Sequence, residues 1–473
     1  MNKPTALPAF FWKQDIPFLK NYLQRNHRTV FLLSDSADQE TVKALEATGS
    51  QVKVLNVSVN QAVIEEATQA VRLGVTSLQA DGAPKKLSCA IEEKVLLETY
   101  ESVLGQYLPS VIALLNELQQ IENEYFIELI LLNEETSWLG KTIAGWAKQH
   151  GIPSILLSHG AGILKNCNFE RYQCDTIAVF GDRNAEYYFD SAVPRERVEV
   201  IGNPNWNIFS KLKLEKCAVR QALCEQAGLD TALPIIVFGI TRNTRLSAMD
   251  DRDLVKELNN FLSVFPYLIE KSFQPQLVVI DQPATGKNNQ DLLFDIAHCL
   301  GVPSSSIRYE LTDEQCWVAG ADVVVSIDSN LSVEAMLVET PAINLITSFG
   351  MLAGPGFSPE DPILHCESAA LAGVIEQVLA SEKLRGDLQQ KMRSNAKRFN
   401  CGVDGRAEER LCNLIKRKRK VNPAGGVVNY AWENFLKALP PLVRRLKQTL
   451  LNQTNKLNQT NRLLRWKQKI FRK

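Results

Sequence analysis

The sequence predicts an α/β protein of two doubly wound, Rossmann-like parallel-sheet domains facing a cleft, followed by a basic C-terminal helical tail. Three observations carry this prediction. Apolar strand-like runs alternate with amphipathic segments, the pattern occurs twice around a polar link at 209–233 rich in Lys and Glu, and the charge balance changes abruptly at Lys416. Strands that alternate with helical segments imply right-handed crossovers and a mainly parallel sheet.

In the first half the strand-like runs are 29–34, 52–57, 127–133, 154–159, 176–181 and 198–202. The second half supplies 235–240, 276–280, 307–310, 321–327 and 342–346. The expected domains are 1–215 and 230–415, with 416–473 as the tail. In such folds ligands bind at the carboxyl ends of the strands, so functional residues are sought just after each run.

A length of 473 residues allows two or three domains, and 45% apolar with 22% charged residues is an ordinary globular composition. The ten cysteines show no CxxC spacing and no signal peptide precedes them, which reads as reduced thiols in a cytoplasmic protein. No apolar run reaches the roughly 18 residues needed to span a bilayer.

The formal net charge of zero conceals two opposed regions. From Lys416 onward there are 16 Lys and Arg against the single acid Glu433, so the rest of the chain is correspondingly acidic. Val443, Leu450, Leu457, Leu464 and Phe471 recur every seven residues, a narrow apolar stripe flanked by cations and Trp466. Such a stripe suits an anionic membrane surface on the inner face of the cell membrane. A weak coiled coil and a solvated disordered tail are the competing readings. Nucleic acid is not an expected partner, because the tail is poor in aromatics and the body is acidic.

The most informative segment is 319–345, which reads as strand, polar turn, helix and strand. Its turn carries Ser326, Asp328, Ser329, Asn330 and Ser332, with Glu334 in the first turn of the helix. A helix that opens directly after a strand presents free N–H groups and the positive end of its dipole, so small hydroxyl residues there help hold a phosphate. Ser329 or Asn330 acting only as a cap is the simpler alternative. Glu334 suits the diol of a ribose, or simply the helix dipole.

Other strand ends add candidates. His159 and Gly160 end the 154–159 run, where an imidazole can act as a base near neutral pH. GNPNWN at 202–207 contributes Gly202 and Asn203, and GITRNTR at 239–245 contributes Thr241 and Arg242, with Arg242 set against diphosphate charge or else a solvated loop residue. Glu134 and Glu135 end the 127–133 run. DDRD at 250–253 resembles a metal-binding aspartate pair, but the acidic first turn of a helix explains it more simply, and no metal or cofactor is expected.

The ordered set HGAGILK, DTIAVFGDRNAEYYFDSAVPRERVEVIGNPNWN, AGADVVVSIDSNLSVEAML and VDGRAEERL resembles the GT-B glycosyltransferase superfamily. Within it, the similarity is to bacterial surface and capsular polysaccharide proteins and to CDP-glycerol glycerophosphotransferases, over about residues 133–411. The resemblance implies an acceptor domain at 1–215 and a nucleotide-donor domain at 230–415. It implies His159 as the base; Gly160 beside it and Glu135 at the end of the 127–133 run are expected on the acceptor side. It implies Ser329 and Ser332 at the donor diphosphate, Glu334 as the matching acid, and a mainly structural role for Asp404–Arg406. Two departures, Asp281 and Gln282 where many relatives have histidine and proline, and DSNLS in place of adjacent serines, favour a nucleotide sugar over CDP-glycerol. The activity implied is that of surface polysaccharide or glycolipid biosynthesis: metal-independent, inverting transfer of a sugar, or a polyol phosphate, from a nucleotide-activated donor to a glycan or lipid-linked acceptor. A UDP-sugar 2-epimerase, using Glu134 and Glu135 at the sugar, and a catalytically degenerate binding scaffold are the alternatives.

Overall fold

The computed structural model describes residues 3–10, 19–26, 28–33, 38–80, 93–135, 137–158, 163–164, 172–190, 193–240, 251–281, 289–346, 353–354 and 356–420. Contacts divide the chain into two compact units. One comprises Met1–Leu157, Arg171–Ile177 and Ile415–Lys473; the other comprises Ser158–Glu170 and Ala178–Leu414.

Sixteen strands are described: β1 (Thr5–Phe10), β2 (Thr29–Leu33), β3 (Gln51–Leu55), β4 (Phe126–Ile127), β5 (Ile130–Leu132), β6 (Ser154–Leu157), β7 (Ile163–Leu164), β8 (Thr176–Val179), β9 (Val198–Val200), β10 (Ile235–Gly239), β11 (Gln276–Ile280), β12 (Ile307–Glu310), β13 (Val323–Ser326), β14 (Ala342–Ile346), β15 (Ala353–Gly354) and β16 (Leu364–Glu367). The first sheet has the order β3-β2-β1-β5-β6-β8-β9, with β4 also on β1. Its pairs β1 with β2, β1 with β5, β2 with β3 and β5 with β6 are all parallel.

The second sheet has the order β12-β11-β10-β13-β14-β16, and every pair in it is parallel. Its strands alternate between two cores, as period-two geometry requires. Val237 and Val324 belong to a layer with Trp206, Trp317 and Met336. Ile236, Phe238, Val323 and Val325 belong to another with Phe261, Leu268 and Leu371. Burial on both faces is why these strands read as continuous apolar runs.

The chain runs from β10 outward through β11 to β12, then returns to the other side of β10 for β13, β14 and β16. The direction of winding therefore reverses between β10 and β13. The first sheet reverses in the same way between β1 and β5.

Several elements depart from the expectations. β1 was not anticipated because Pro8 interrupts its apolar run, yet it pairs on both sides, with Pro8 opposite Phe31. β16 forms the far edge of the second sheet from the unremarkable LHCE. The short β7 and β15 pair antiparallel, Leu164 opposite Ala353 and Ile163 opposite Gly354. The KRKRK run is also partly structured: Lys416–Lys418 close the helix Ala407–Lys418, which puts cations at its negative dipole end. Beyond it, Lys420 N donates to Glu128 O at 2.8 Å, and the Arg419 guanidinium lies 3.7 Å from the buried Glu128 carboxylate that Arg28 grips at 2.7 Å. The apolar stripe of the tail, 421–473, lies outside the described residues.

Candidate functional site

The polar turn that stood out in the sequence leaves the carboxyl end of β13, at the point where the second sheet reverses. Its residues divide into two groups. Ser326 and Ser332 are fully buried, and their hydroxyls bond each other at 2.7 Å, which closes the turn from within. Asp328, Ser329 and Asn330 are half-exposed and form its outer surface.

Ser329 is the N-cap of the helix Asn330–Leu337: its Oγ accepts from Leu331 N at 3.2 Å, and its carbonyl accepts from Ser332 N at 3.2 Å. Asp328 has a φ of 41°, a left-handed conformation that Asp tolerates better than most residues. Two hydrogen bonds hold it there. Asp328 N donates to Asn344 Oδ1 at 2.6 Å, and Gly356 N donates to Asp328 Oδ1 at 2.7 Å.

On the neighbouring strand, Gly239 ends β10 directly against this helix. A Cβ at Gly239 would come within 2.5 Å of Leu331 Cδ2, so the strand end lies directly against the Leu331 side chain of this helix. Thr241 and Arg242, which follow it, lie outside the described residues. His159 and Gly160 lie outside them too; the preceding Ser158 donates its N–H to Ala178 O at 2.9 Å.

Glu334 is buried and receives the Trp206 indole N–H on Oε1 at 2.8 Å, while its buried Oε2 has no hydrogen-bond partner among the described residues. Burial pushes this carboxyl up to about 8, with the Glu314 charge adding to the shift and the Trp206 hydrogen bond opposing it. Glu334 is therefore mostly protonated at neutral pH, not a fixed anion in the helix dipole.

Trp206 belongs to the GNPNWN segment, whose conformation follows from its composition. Gly202 has a φ of 83°, and Asn203 Oδ1 caps the 3₁₀ turn Pro204–Trp206 by accepting from Asn205 N at 2.9 Å. Asn203 N donates to Asn400 Oδ1 at 2.7 Å, and Asn207 Oδ1 accepts from Ala407 N at 3.0 Å. Asn203 and Asn207 thus hold this turn to Asn400 and Ala407, while Gly202 N donates to Val179 O at 3.3 Å. In the segment 400–407 Asp404 is paired with Arg410 at 2.8 Å, which holds its carboxyl below the usual range, and Gly405 has a φ of 68°.

The remaining candidates are occupied elsewhere. Asp281 follows β11 fully buried, where it accepts from Tyr309 Oη at 2.5 Å and Asn289 Nδ2 at 2.8 Å. Glu135 belongs to the other unit, buried, and accepts from the backbone N–H groups of Gln173 and Cys174, the latter at 3.2 Å. Burial pushes its carboxyl up and these two hydrogen bonds oppose the shift. Glu134 accepts from Ser137 N at 2.9 Å ahead of the helix that Ser137 caps. Among the described residues no three His, Cys, Asp or Glu gather as a metal site.

The structure thus joins the polar turn to Glu334 and, through it, to Trp206. Trp206 and Gly239 lie inside the motifs 202–207 and 239–245, which by themselves assign neither a part in the site. The signal available was weak: a tryptophan in an Asn- and Pro-rich turn, and a glycine closing a buried strand.

No family model and no curated protein matches the chain. Solved structures do. The Anabaena protein HepE, in complex with UDP and glucose, superposes with a TM-score of 0.51 at 14% identity, covering 88% of this chain and 100% of that one. A glycosyltransferase from Rickettsia africae gives 0.52 at 13% identity, covering 88% and 99%. The UDP-GlcNAc 2-epimerase of Neisseria meningitidis, bound to UDP-GlcNAc, gives 0.52 at 11% identity, covering 87% and 100%. At such identities the likeness speaks to architecture, and the chain has the two-sheet, Rossmann-like GT-B fold.

Proposed function

We propose that the second unit binds a UDP-activated sugar at the turn 328–332 and that the protein is a glycosyltransferase of surface polysaccharide or glycolipid biosynthesis. One observation carries the reading: the Ser329-capped helix opens at the carboxyl end of β13, where the winding of its sheet reverses. That is the place where open α/β sheets bind ligands, and a helix N-terminus favours a diphosphate there. The choice of UDP is supported by HepE and the Neisseria enzyme, whose structures hold UDP or a UDP-sugar.

In this reading the sugar is transferred with inversion. His159 takes the proton of the acceptor hydroxyl as that oxygen attacks the anomeric carbon, and the bond to the diphosphate breaks. Charge developing on the departing UDP is met by the helix N-terminus and by Arg242. A glycan or lipid-linked acceptor agrees with the basic, apolar-striped tail, which would hold the enzyme at an anionic cytoplasmic leaflet.

Epimerisation is the second reading, favoured by the comparable likeness to the Neisseria enzyme. We place it second because the two carboxylates it was expected to use are engaged, Glu134 with Ser137 and Glu135 with Gln173 and Cys174. The two reactions differ at C2 of the sugar. Incubation with UDP-GlcNAc and UDP-glucose in D₂O, followed by NMR, should show UDP release when a lipid-linked glycan acceptor is added, with no deuterium at C2. Deuterium at C2 of UDP-GlcNAc, with inversion there and no acceptor required, would replace transfer by epimerisation. Binding of UDP with neither outcome across an acceptor panel would favour a scaffold.

A further inference from the structure

The phosphate turn is tied to the segment that follows His159 in the sequence by a continuous set of bonds, and one arginine holds its centre. Ile163 and Leu164 pair antiparallel with Gly354 and Ala353. Two residues later Gly356 N donates to Asp328 Oδ1 at 2.7 Å. Gly356 O in turn accepts from Arg183 Nη2, while Arg183 Nη1 binds Asp361 Oδ2 at 2.6 Å. Asp361 is fully buried; its Oδ2 also accepts from Ser358 N at 2.7 Å and its Oδ1 meets Arg398 Nη1 at 3.1 Å. The guanidinium of Arg183 lies over the Phe399 ring, 5.1 Å from its centre.

We propose that Arg183 is a positioning residue: by holding Gly356 O and Asp361 with separate arms of one guanidinium, it sets the strap 356–361, and through Gly356 N it holds Asp328 in the left-handed conformation that shapes the phosphate turn. The effect on ligand binding rests on the donor-site reading above; the strap itself does not. Only a planar fork serves both acceptors at once, so lysine preserves the charge opposite Asp361 and loses the hold on Gly356. Arg398 offers an internal control, because it shares Asp361 and has no bond to Gly356.

The test compares Arg183→Lys with Arg398→Lys in the full-length protein, by thermal melting, amide hydrogen exchange and calorimetric titration with UDP. In Arg183→Lys, exchange at the Gly356 and Leu331 amides should rise, and UDP affinity should fall, each about tenfold, the effect expected for losing one charge-assisted hydrogen bond. Arg398→Lys should melt at a similar temperature with both quantities near wild type. The proposal is overturned if the two variants match in exchange at Gly356 and in affinity, or if Arg183→Lys raises exchange evenly through the second unit. If the wild type binds no UDP, the donor reading fails, and exchange at Gly356 and Leu331 alone decides the strap.

Discussion

The indole N–H of Trp206 donates to Oε1 of Glu334 across 2.8 Å, and among the described residues the other oxygen of this buried carboxyl has no hydrogen-bond partner. This bond ties the GNPNWN turn to the helix that opens at the polar turn after β13. Trp206→Phe keeps most of the ring volume and leaves both oxygens of Glu334 unpaired. Unfolding by urea should show a loss of about 1–3 kcal/mol, the cost of stranding a buried polar group.

Glu334 also makes stability depend on pH. Its folded-state carboxyl is raised to about 8 from an ordinary value of 4.5, so the native state holds the proton more tightly than the unfolded chain. Its contribution is fully present below about pH 4.5 and is lost as pH rises through about 8. Glu334→Gln keeps an acceptor for Trp206 and removes the ionisation. Relative to wild type, the variant should gain stability progressively from pH 5 to pH 9, read as a widening difference in urea midpoint.

Gly181 precedes the helix Asp182–Asp190 that carries Arg183. A Cβ there would lie 2.3 Å from Arg398 O, a backbone atom with little freedom to yield. Gly181→Ala should cost about 1–3 kcal/mol through overpacking, measured by chemical denaturation, with faster amide exchange across the segment 181–190.

The tail has its own test, drawn from its sequence. Vesicles rich in anionic lipid should retain the full-length protein and release it as salt rises, because each cation near such a surface adds roughly 1 kcal/mol that screening removes. Deleting 421–473 should abolish co-sedimentation; undiminished binding by the deletion would assign the contact to another surface.

Much of the architecture was legible because the second sheet is buried on both faces. Strands β10, β11, β13 and β14 consequently appear as apolar runs bounded by polar turns. β1 was hidden by Pro8, which removes an N–H that a central strand normally uses. β16 and the two-residue strands β7 and β15 are held by neighbours, and nothing in their own residues announces them. At the site, the unusual polarity after β13 marked the turn. What sequence did not reveal was the division within it, with Ser326 and Ser332 bonded inside and Ser329 outside. Nor did it reveal the bond between Trp206 and Glu334, which are 128 residues apart.

The most direct test of the account is a calorimetric titration of UDP into the wild type and into Ser329→Ala. The wild type should bind UDP saturably at 1:1, and affinity should fall about tenfold in the variant, because the turn loses the hydroxyl that caps its helix. An absence of UDP binding, or equal affinity in the two proteins, would contradict the placement of the donor diphosphate at this turn.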